Sequence, residues 1–193
     1  MAKSVYVVGV DVLMEYPDIV QLTAERTTNP TLNLNDAHLV IPLAAIREVS
    51  NHAGGGNNKE EARRWLLKRL RDLVESTVVK PMLSVYKLQA SMKVPDSNQE
   101  ISLIPMRREI MQCSLFDLSE HDIGDQMIAA TILTGIGINR LNTDGSIDKV
   151  RLDRELFTNV TLLTNDDSLA IRAHSYGLRT SRYERKYCLT PEE

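Results

Sequence analysis

Cysteines, aromatic residues and long apolar runs are all scarce in this chain of 193 residues. The two cysteines, Cys113 and Cys188, have no neighbours at metal-ligand spacing, so reduced structural thiols are expected. Only 5% of the residues are aromatic, which is too few for base stacking to supply most of any affinity for nucleic acid. No apolar run approaches the ~20 residues of a membrane span, and no secretory signal opens the chain. These absences predict a cytoplasmic protein with no membrane partner.

The net charge of -3 gives no global nucleic-acid footprint, so any such contact must come from a local basic patch. The length suits one well-cored domain and is short for two. We therefore predict a single domain over residues 1–193. A strand-rich segment around residues 80–106, with a polar break inside it, predicts a hairpin insertion.

Three short apolar runs, at residues 5–8, 39–41 and 160–163, are rich in β-branched side chains. Continuous apolar runs of this length are typical of parallel strands that are buried on both faces. Helical patterns lie between and after them, over residues 17–26, 42–49, 59 onward, 119–136 and 167–176. The alternation predicts an α/β fold, a three-layer α/β/α sandwich with a central, mainly parallel sheet.

Four acidic residues stand at the edges of these apolar runs: Asp11, Glu48, Asp125 and Asp166. Ligands of open α/β sheets bind outside the carboxyl ends of the strands, where such acids can converge. Two bare carboxylates about 4 Å apart repel by roughly 4 kcal/mol at an effective dielectric of 20, so a converged set needs protons or cations. A donor set of oxygens alone favours Mg²⁺ or Mn²⁺.

A purely structural interpretation of the acids is also open. Residues 119–122 and 164–167 both fit a helix capping box, and acids in a first helical turn favour the helix dipole. For any one acid considered alone, this interpretation is the more frequent one. The predicted metal site therefore depends on the four acids converging.

Three stretches of the chain resemble the PIN-domain ribonucleases, and within them the PhoH-like subgroup. They are residues 5–13 with Pro17-Asp18, residues 40–49 with the following glycine loop and residues 61–63, and residues 163–178. The resemblance implies a metal-dependent endoribonuclease that acts on single-stranded RNA, and a PhoH-type ATPase that is fused to it or is its partner. It places Glu48, Asp125 and Asp166 at the family's acidic positions, and suggests Asp122, Thr164 and Asp167 as residues that support them.

The chain departs from the family pattern at the first acid. Without gaps, the family's leading Asp falls on Gly9 and its Asn or Ser position falls on Asp11. On a strand, positions 9 and 11 share a face and lie roughly 6.5 Å apart, so Asp11 is not expected simply to replace the missing carboxylate. Asp11 holds the metal in an altered geometry, or the domain only binds RNA, or Gly9 is an introduced substitution that disables a toxic nuclease. A glycine here is also typical of close backbone approach.

Two sets of basic residues are candidates for contacts to RNA phosphates. One set is Arg64, Lys68 and Arg71 on the helix that begins near residue 59, and the other is Arg179 with Arg182. The first set fits a solvated helix face equally well. The chain is also compatible with a homo-oligomer.

Three functions are compatible with these features. The first is the endoribonuclease, with Asp11, Glu48, Asp125 and Asp166 as catalytic and metal-binding residues. The alternative is a non-catalytic RNA-binding or regulatory module of a PhoH-like ATPase, and it predicts salt-dependent RNA binding without turnover. The third is a haloacid-dehalogenase-like phosphatase, which would need a nucleophilic Asp where Gly9 stands.

Overall fold

A computed structural model describes residues 4–21, 32, 34, 37–54, 58–76, 91–93, 100–104, 117–136 and 160–183. Its strands are β1 (Ser4–Val8), β2 (Ala37–Pro42), β3 (Ser91–Lys93), β4 (Glu100–Ile104), β5 (Val160–Leu163) and β6 (Arg179–Ser181). Its α-helices are α1 (Val10–Glu15), α2 (Leu43–Asn51), α3 (Asn58–Ser76), α4 (Ile123–Ile136) and α5 (Asp167–Ser175). A 3₁₀ helix (Pro17–Gln21) follows α1.

The described strands form one sheet in the order β3-β4-β2-β1-β5-β6. The five strands from β4 to β6 are parallel, and only β3 runs antiparallel, beside β4. This confirms the predicted α/β fold with its central, mainly parallel sheet. Since β1 comes first in the chain and lies between β2 and β5, its carboxyl end is the topological switch point where such sheets form ligand sites.

Burial explains why the apolar runs became strands. Val7 and Val8 of β1, Leu39 of β2 and Leu162 of β5 have no solvent exposure. A strand with neighbours on both edges and helices on both faces buries most of its side chains, so its sequence is mainly apolar without strict alternation. The polar residues that end these strands are thereby left at the edge of the core.

The helix predicted over 119–136 begins later, at Ile123. Residues 119–122 form a turn instead, in which the Asp122 amide donates to the Ser119 carbonyl at 3.3 Å. The last helix ends as predicted at Gly177, which has a φ of 77°. There Gly177 donates to His174 and Leu178 donates to Ala173, the two bonds of a Schellman cap.

Several predictions fall wholly or partly outside the described residues. These include both cysteines, residues 22–26 of the first predicted helix and most of the glycine loop. β3 and β4 lie within the segment 80–106 and pair antiparallel, but residues 94–99 between them are outside the description. The hairpin insertion and the single-domain organisation stay predictions. Within the described part of the chain, none of the helices combines the length and apolarity needed to cross a membrane.

Candidate acidic site at the carboxyl edge of the sheet

The turn after β1 differs from the extended strand that the sequence suggested. β1 ends at Val8, Gly9 is the N-cap of α1, and Asp11 lies in the first turn of that helix. The Gly9 amide donates to the Leu163 carbonyl at 2.8 Å, so the two central strands are still paired where the chain turns. The expectation that positions 9 and 11 share a strand face is therefore wrong, because the helix begins immediately after Gly9.

The helical turn brings the Asp11 carboxylate back beside Gly9. A Cβ atom built on Gly9 would lie 2.6 Å from Asp11 Oδ1 and 2.6 Å from the Leu163 carbonyl oxygen. Asp11 also accepts hydrogen bonds from Thr164 Oγ1, at 3.1 Å, and from the Asn165 amide. A carboxylate thus occupies the space that a side chain at position 9 would enter, and it is supplied by α1.

The loop from β5 to α5 joins Asp11 to Asp166 through one buried hydroxyl. Thr164 is 2% exposed, and its Oγ1 donates to Asp11 and accepts from the Asp166 amide at 3.1 Å. Asp166 is the N-cap of α5, where its Oδ1 accepts from the amides of Ser168 and Leu169. The cap therefore lies two residues after the start of the predicted capping box. Within the described residues, Asp166 Oδ2 has no hydrogen-bond partner.

We expect Thr164→Val to lower the free energy of unfolding by about 1–3 kcal/mol, because it leaves a carboxylate oxygen and an amide without their partner. Urea denaturation measures the change. Thr164→Ser keeps both hydrogen bonds and should recover most of the loss. Thr161→Val, the same substitution on β5 at a half-buried position, is the matched control. An equal effect at both threonines would show that the two hydrogen bonds of the Thr164 hydroxyl do not stabilise this loop.

Asn165 in the same loop fixes the chain that leaves β6. Its side-chain amide donates to the Tyr183 carbonyl and accepts from the Tyr183 amide, both at 2.9 Å. Tyr183 is buried and packs edge-on against Tyr16, with ring centroids 5.1 Å apart. The residues around Asp11 and Asp166 are thus held from three directions, by β1, β5 and the end of β6.

A second group of charges lies where α4 begins. Asp122 is the N-cap of α4, since its Oδ1 accepts from the Asp125 amide at 2.8 Å. Asp125 is buried, and its Oδ2 accepts from the Ser119 amide at 2.9 Å. The Arg172 guanidinium on α5 bridges the two acids, 3.0 Å from Asp122 Oδ1 and in contact with Asp125 Oδ1.

The pKa values of two of these groups respond to the pairing. The hydrogen bond from the Asp125 amide, followed by that from the Arg172 guanidinium, holds the pKa of Asp122 below its usual range. The hydrogen bond to Asp122 raises the pKa of Arg172, and the contact with Asp125 adds to it. Both groups therefore stay charged across neutral pH. The Arg172 guanidinium of α5 is thus paired with the acids at the start of α4.

The model of the family described as the PIN domain matches residues 6–184 of the chain. This chain belongs to the PIN domain family. A domain of a functionally unknown protein from Methanocaldococcus jannaschii DSM 2661 is a similar solved structure, at 17% identity over 98% of this chain and 95% of that chain, with a TM-score of 0.46. No curated protein matches the chain significantly.

Glu48 has its described partner at the end of its own helix in this PIN domain. It lies on α2, where its carboxylate is 3.4 Å from His52 Nδ1 one turn later. Among the described residues, it forms no group of three with other Asp, Glu, His or Cys side chains that could hold a metal ion. Asp167, a predicted supporting residue, is exposed and pairs with Arg182.

The donor set suits a divalent metal in its chemistry but not in its described geometry. PIN domains generally use divalent metal ions, and the acids here offer only oxygen ligands, as Mg²⁺ and Mn²⁺ prefer. Among the described residues, however, no three Asp, Glu, His or Cys side chains are grouped closely enough to hold a metal ion. Asp11, Asp125 and Asp166 instead have protein partners, so this conformation does not fit a bound metal.

Three of the five predicted RNA-binding residues have protein partners. Arg64 donates to the Ala53 carbonyl, Arg71 pairs with Asp72, and Arg182 pairs with Asp167. Lys68 and Arg179 are exposed side chains with no such partner in the described part of the chain. RNA binding by any of the five stays a prediction.

Sequence reasoning assigned no role to Arg172, which bridges Asp122 and Asp125 at the start of α4. Arginine is common in the last turn of a helix, so the position of Arg172 in α5 does not by itself indicate this ion pair. Its partners lie 47 and 50 residues earlier in the chain. A pattern of aligned homologues that varied together at 122, 125 and 172 is the kind of signal that could reveal the pair.

Proposed function

We propose that this PIN domain is an endoribonuclease of low activity that acts on single-stranded RNA. The observation that carries the proposal is the pair of hydrogen bonds that Thr164 Oγ1 makes to the Asp11 carboxylate and to the Asp166 backbone amide, at the carboxyl ends of β1 and β5. This edge is where open parallel sheets place their reacting groups, and the family supplies the class of reaction. Low activity is expected because Gly9 replaces the first family acid and Asp125 is paired with Arg172.

The side chains suggest separate roles at this edge. Asp166 keeps its Oδ2 outside the capping bonds, so this oxygen can accept a hydrogen bond from a water or from a ligand's hydroxyl. Asp11 keeps the β1 turn attached to the loop that carries Asp166. A divalent metal, when bound, would neutralise phosphate charge and activate water, and the choice between Mg²⁺ and Mn²⁺ is part of the proposal.

Arg182 is a candidate contact for an RNA phosphate. It follows β6, whose last residue, Ser181, is in register with Leu163 at the end of β5. Its ion pair with Asp167 is exposed on both sides, with 58% and 74% of the side chains accessible. Exposed pairs are worth about 0–1 kcal/mol, so a phosphate can compete with Asp167 for the guanidinium.

A non-catalytic RNA-binding module is the second candidate, and the pairing of Asp125 with Arg172 favours it. In that case, RNA would bind with a salt dependence set by the phosphate contacts and would not be cleaved. Membership of the PhoH-like subgroup, a PhoH-type ATPase partner, homo-oligomerisation and a cytoplasmic location belong to the proposal in either form. The phosphatase is not proposed, since the chain belongs to the PIN family.

Labelled single-stranded RNA incubated with Mn²⁺, with Mg²⁺ or with a chelator tests the proposal. We expect slow, metal-dependent cleavage that falls about 100-fold or more in Asp166→Asn, because the only unpaired carboxylate oxygen of the described loop is replaced. Glu61→Gln, at an exposed acid of α3, is the matched control and should cleave like the parent. Cleavage that survives Asp166→Asn would contradict the assigned role.

Binding of the same RNA, followed by fluorescence anisotropy at several salt concentrations, separates the two candidates. Salt-dependent binding without cleavage under any metal condition would establish the non-catalytic module. A chain that neither binds nor cleaves RNA would refute both candidates.

A further inference from the structure

The Arg172 guanidinium lies beside Gly124, which has no side chain to obstruct it. A Cβ atom on Gly124 would lie 3.0 Å from Arg172 Nη1 and 3.1 Å from Asp122 Oδ1. Nη1 of the guanidinium therefore lies close to Gly124, while Nη2 contacts both carboxylates. Any larger residue at 124 would press on the ion pair, so the glycine makes room for the contact.

This contact puts a cation beside the acid that the family would use for a metal. Asp125 is buried, with 12% of its side chain exposed, and both of its oxygens are engaged, by the Ser119 amide and by Arg172. A divalent ion at Asp125 would meet the positive charge of the guanidinium at close range. The two cations cannot share the same carboxylate oxygen.

The Arg172 side chain is also partly accessible to solvent. Its side chain is 38% exposed, in contrast to that of Asp125. A long side chain at a helix surface can move its charged end into water at modest cost, since a guanidinium is well solvated there. The buried acid would then be left with an unfilled position for another cation.

We propose that Arg172 is an internal cation that closes the Asp122–Asp125 pair, and that a divalent metal reaches Asp125 only by displacing it. The inference rests on the proposed function, because it assumes that the PIN site takes up a metal. It accounts for the engagement of both Asp125 oxygens by protein groups. Arg172 acts here through Asp125 and sets the metal concentration at which the site becomes filled.

Calorimetric titration of the whole chain with Mn²⁺, without RNA, tests the competition. Arg172→Gln removes the competing charge and should bind Mn²⁺ about tenfold more tightly than the parent, a change readily resolved in Kd. Arg172→Lys keeps the charge but replaces the guanidinium, whose Nη2 contacts both carboxylates, with a more strongly hydrated ammonium, so its affinity should lie between the two. Lys59→Gln removes an exposed positive charge from α3 and should bind like the parent.

Thermal unfolding gives a second readout. Without metal, Arg172→Gln should melt below the parent, because its acids lose their counter-ion. The difference in Tm between the parent and Arg172→Gln should narrow as Mn²⁺ is added, because the variant binds the ion more tightly and is stabilised more by it. If the parent binds Mn²⁺ and both Arg172 variants bind it equally or less tightly, the inference fails while the proposed function stands. If no variant binds Mn²⁺ and RNA is not cleaved, both fail together.

Discussion

Gly9→Ala is expected to lower the free energy of unfolding by about 1–3 kcal/mol, the cost of forcing extra atoms into a packed site. The new Cβ would lie 2.6 Å from the Leu163 carbonyl oxygen, which is backbone and cannot rotate away. It would also press on Asp11 Oδ1 at the same distance. The φ of Gly9 is -65°, so the penalty comes from contact and not from backbone strain.

Gly9→Asp should be at least as destabilising as Gly9→Ala. It adds a second carboxylate beside that of Asp11, and two such charges about 4 Å apart repel by roughly 4 kcal/mol at an effective dielectric of 20, unless a proton or a cation intervenes. Asp11→Asn in the Gly9→Asp background removes this repulsion and should recover part of the stability. The double-mutant cycle over positions 9 and 11 measures the coupling.

Urea denaturation with Gly54→Ala as the matched control checks the effect at Gly9. A Cβ on Gly54 would meet nothing within 4 Å, so that substitution should leave stability unchanged or raise it slightly. If Gly9→Ala were as stable as the parent, the turn after β1 would have room for a side chain. Restoration of the family acid would then be a simple test of activity. With the predicted loss, RNA cleavage by Gly9→Asp has to be compared at temperatures where both proteins are folded.

Asp125→Asn should lower the free energy of unfolding by about 2 kcal/mol. Breaking a buried ion pair from one side costs about 3–5 kcal/mol. The expected loss of stability is smaller here because Arg172 is partly exposed and keeps its contact with Asp122. The amide that replaces the carboxylate can still accept from Ser119, but its NH₂ group then faces the guanidinium.

Arg172→Gln combined with Asp125→Asn separates the pair from the other contacts of each residue. If the two residues stabilise one another, the double variant should lose less than the sum of the single losses. Asp72→Asn is the matched control, because Asp72 forms an exposed ion pair with Arg71 at 3.4 Å and should change stability by less than about 1 kcal/mol. Additive losses at 125 and 172 would contradict the ion pair as described.

The strands and most helices could be predicted because their physical causes are local. Apart from Thr161, residues 5–8, 39–41 and 160–163 are apolar or aromatic, and such runs favour burial on both faces of a sheet. The start of α4 was predicted too early, since the pattern of residues 119–122 suits a cap as well as the turn that they form. The same ambiguity moved the predicted cap of α5 to Thr164, although Asp166 has that role.

The sequence by itself determined the α/β architecture, the family and the positions of acids near the ends of strands, because apolar periodicity and motif order are properties of the chain. Only the tertiary structure decided what those acids contact. Asp11 bonds to a loop more than 150 residues later, and Asp125 pairs with a guanidinium on another helix. The energy of a charge depends on which groups packing brings within a few ångströms, and sequence spacing does not contain that information.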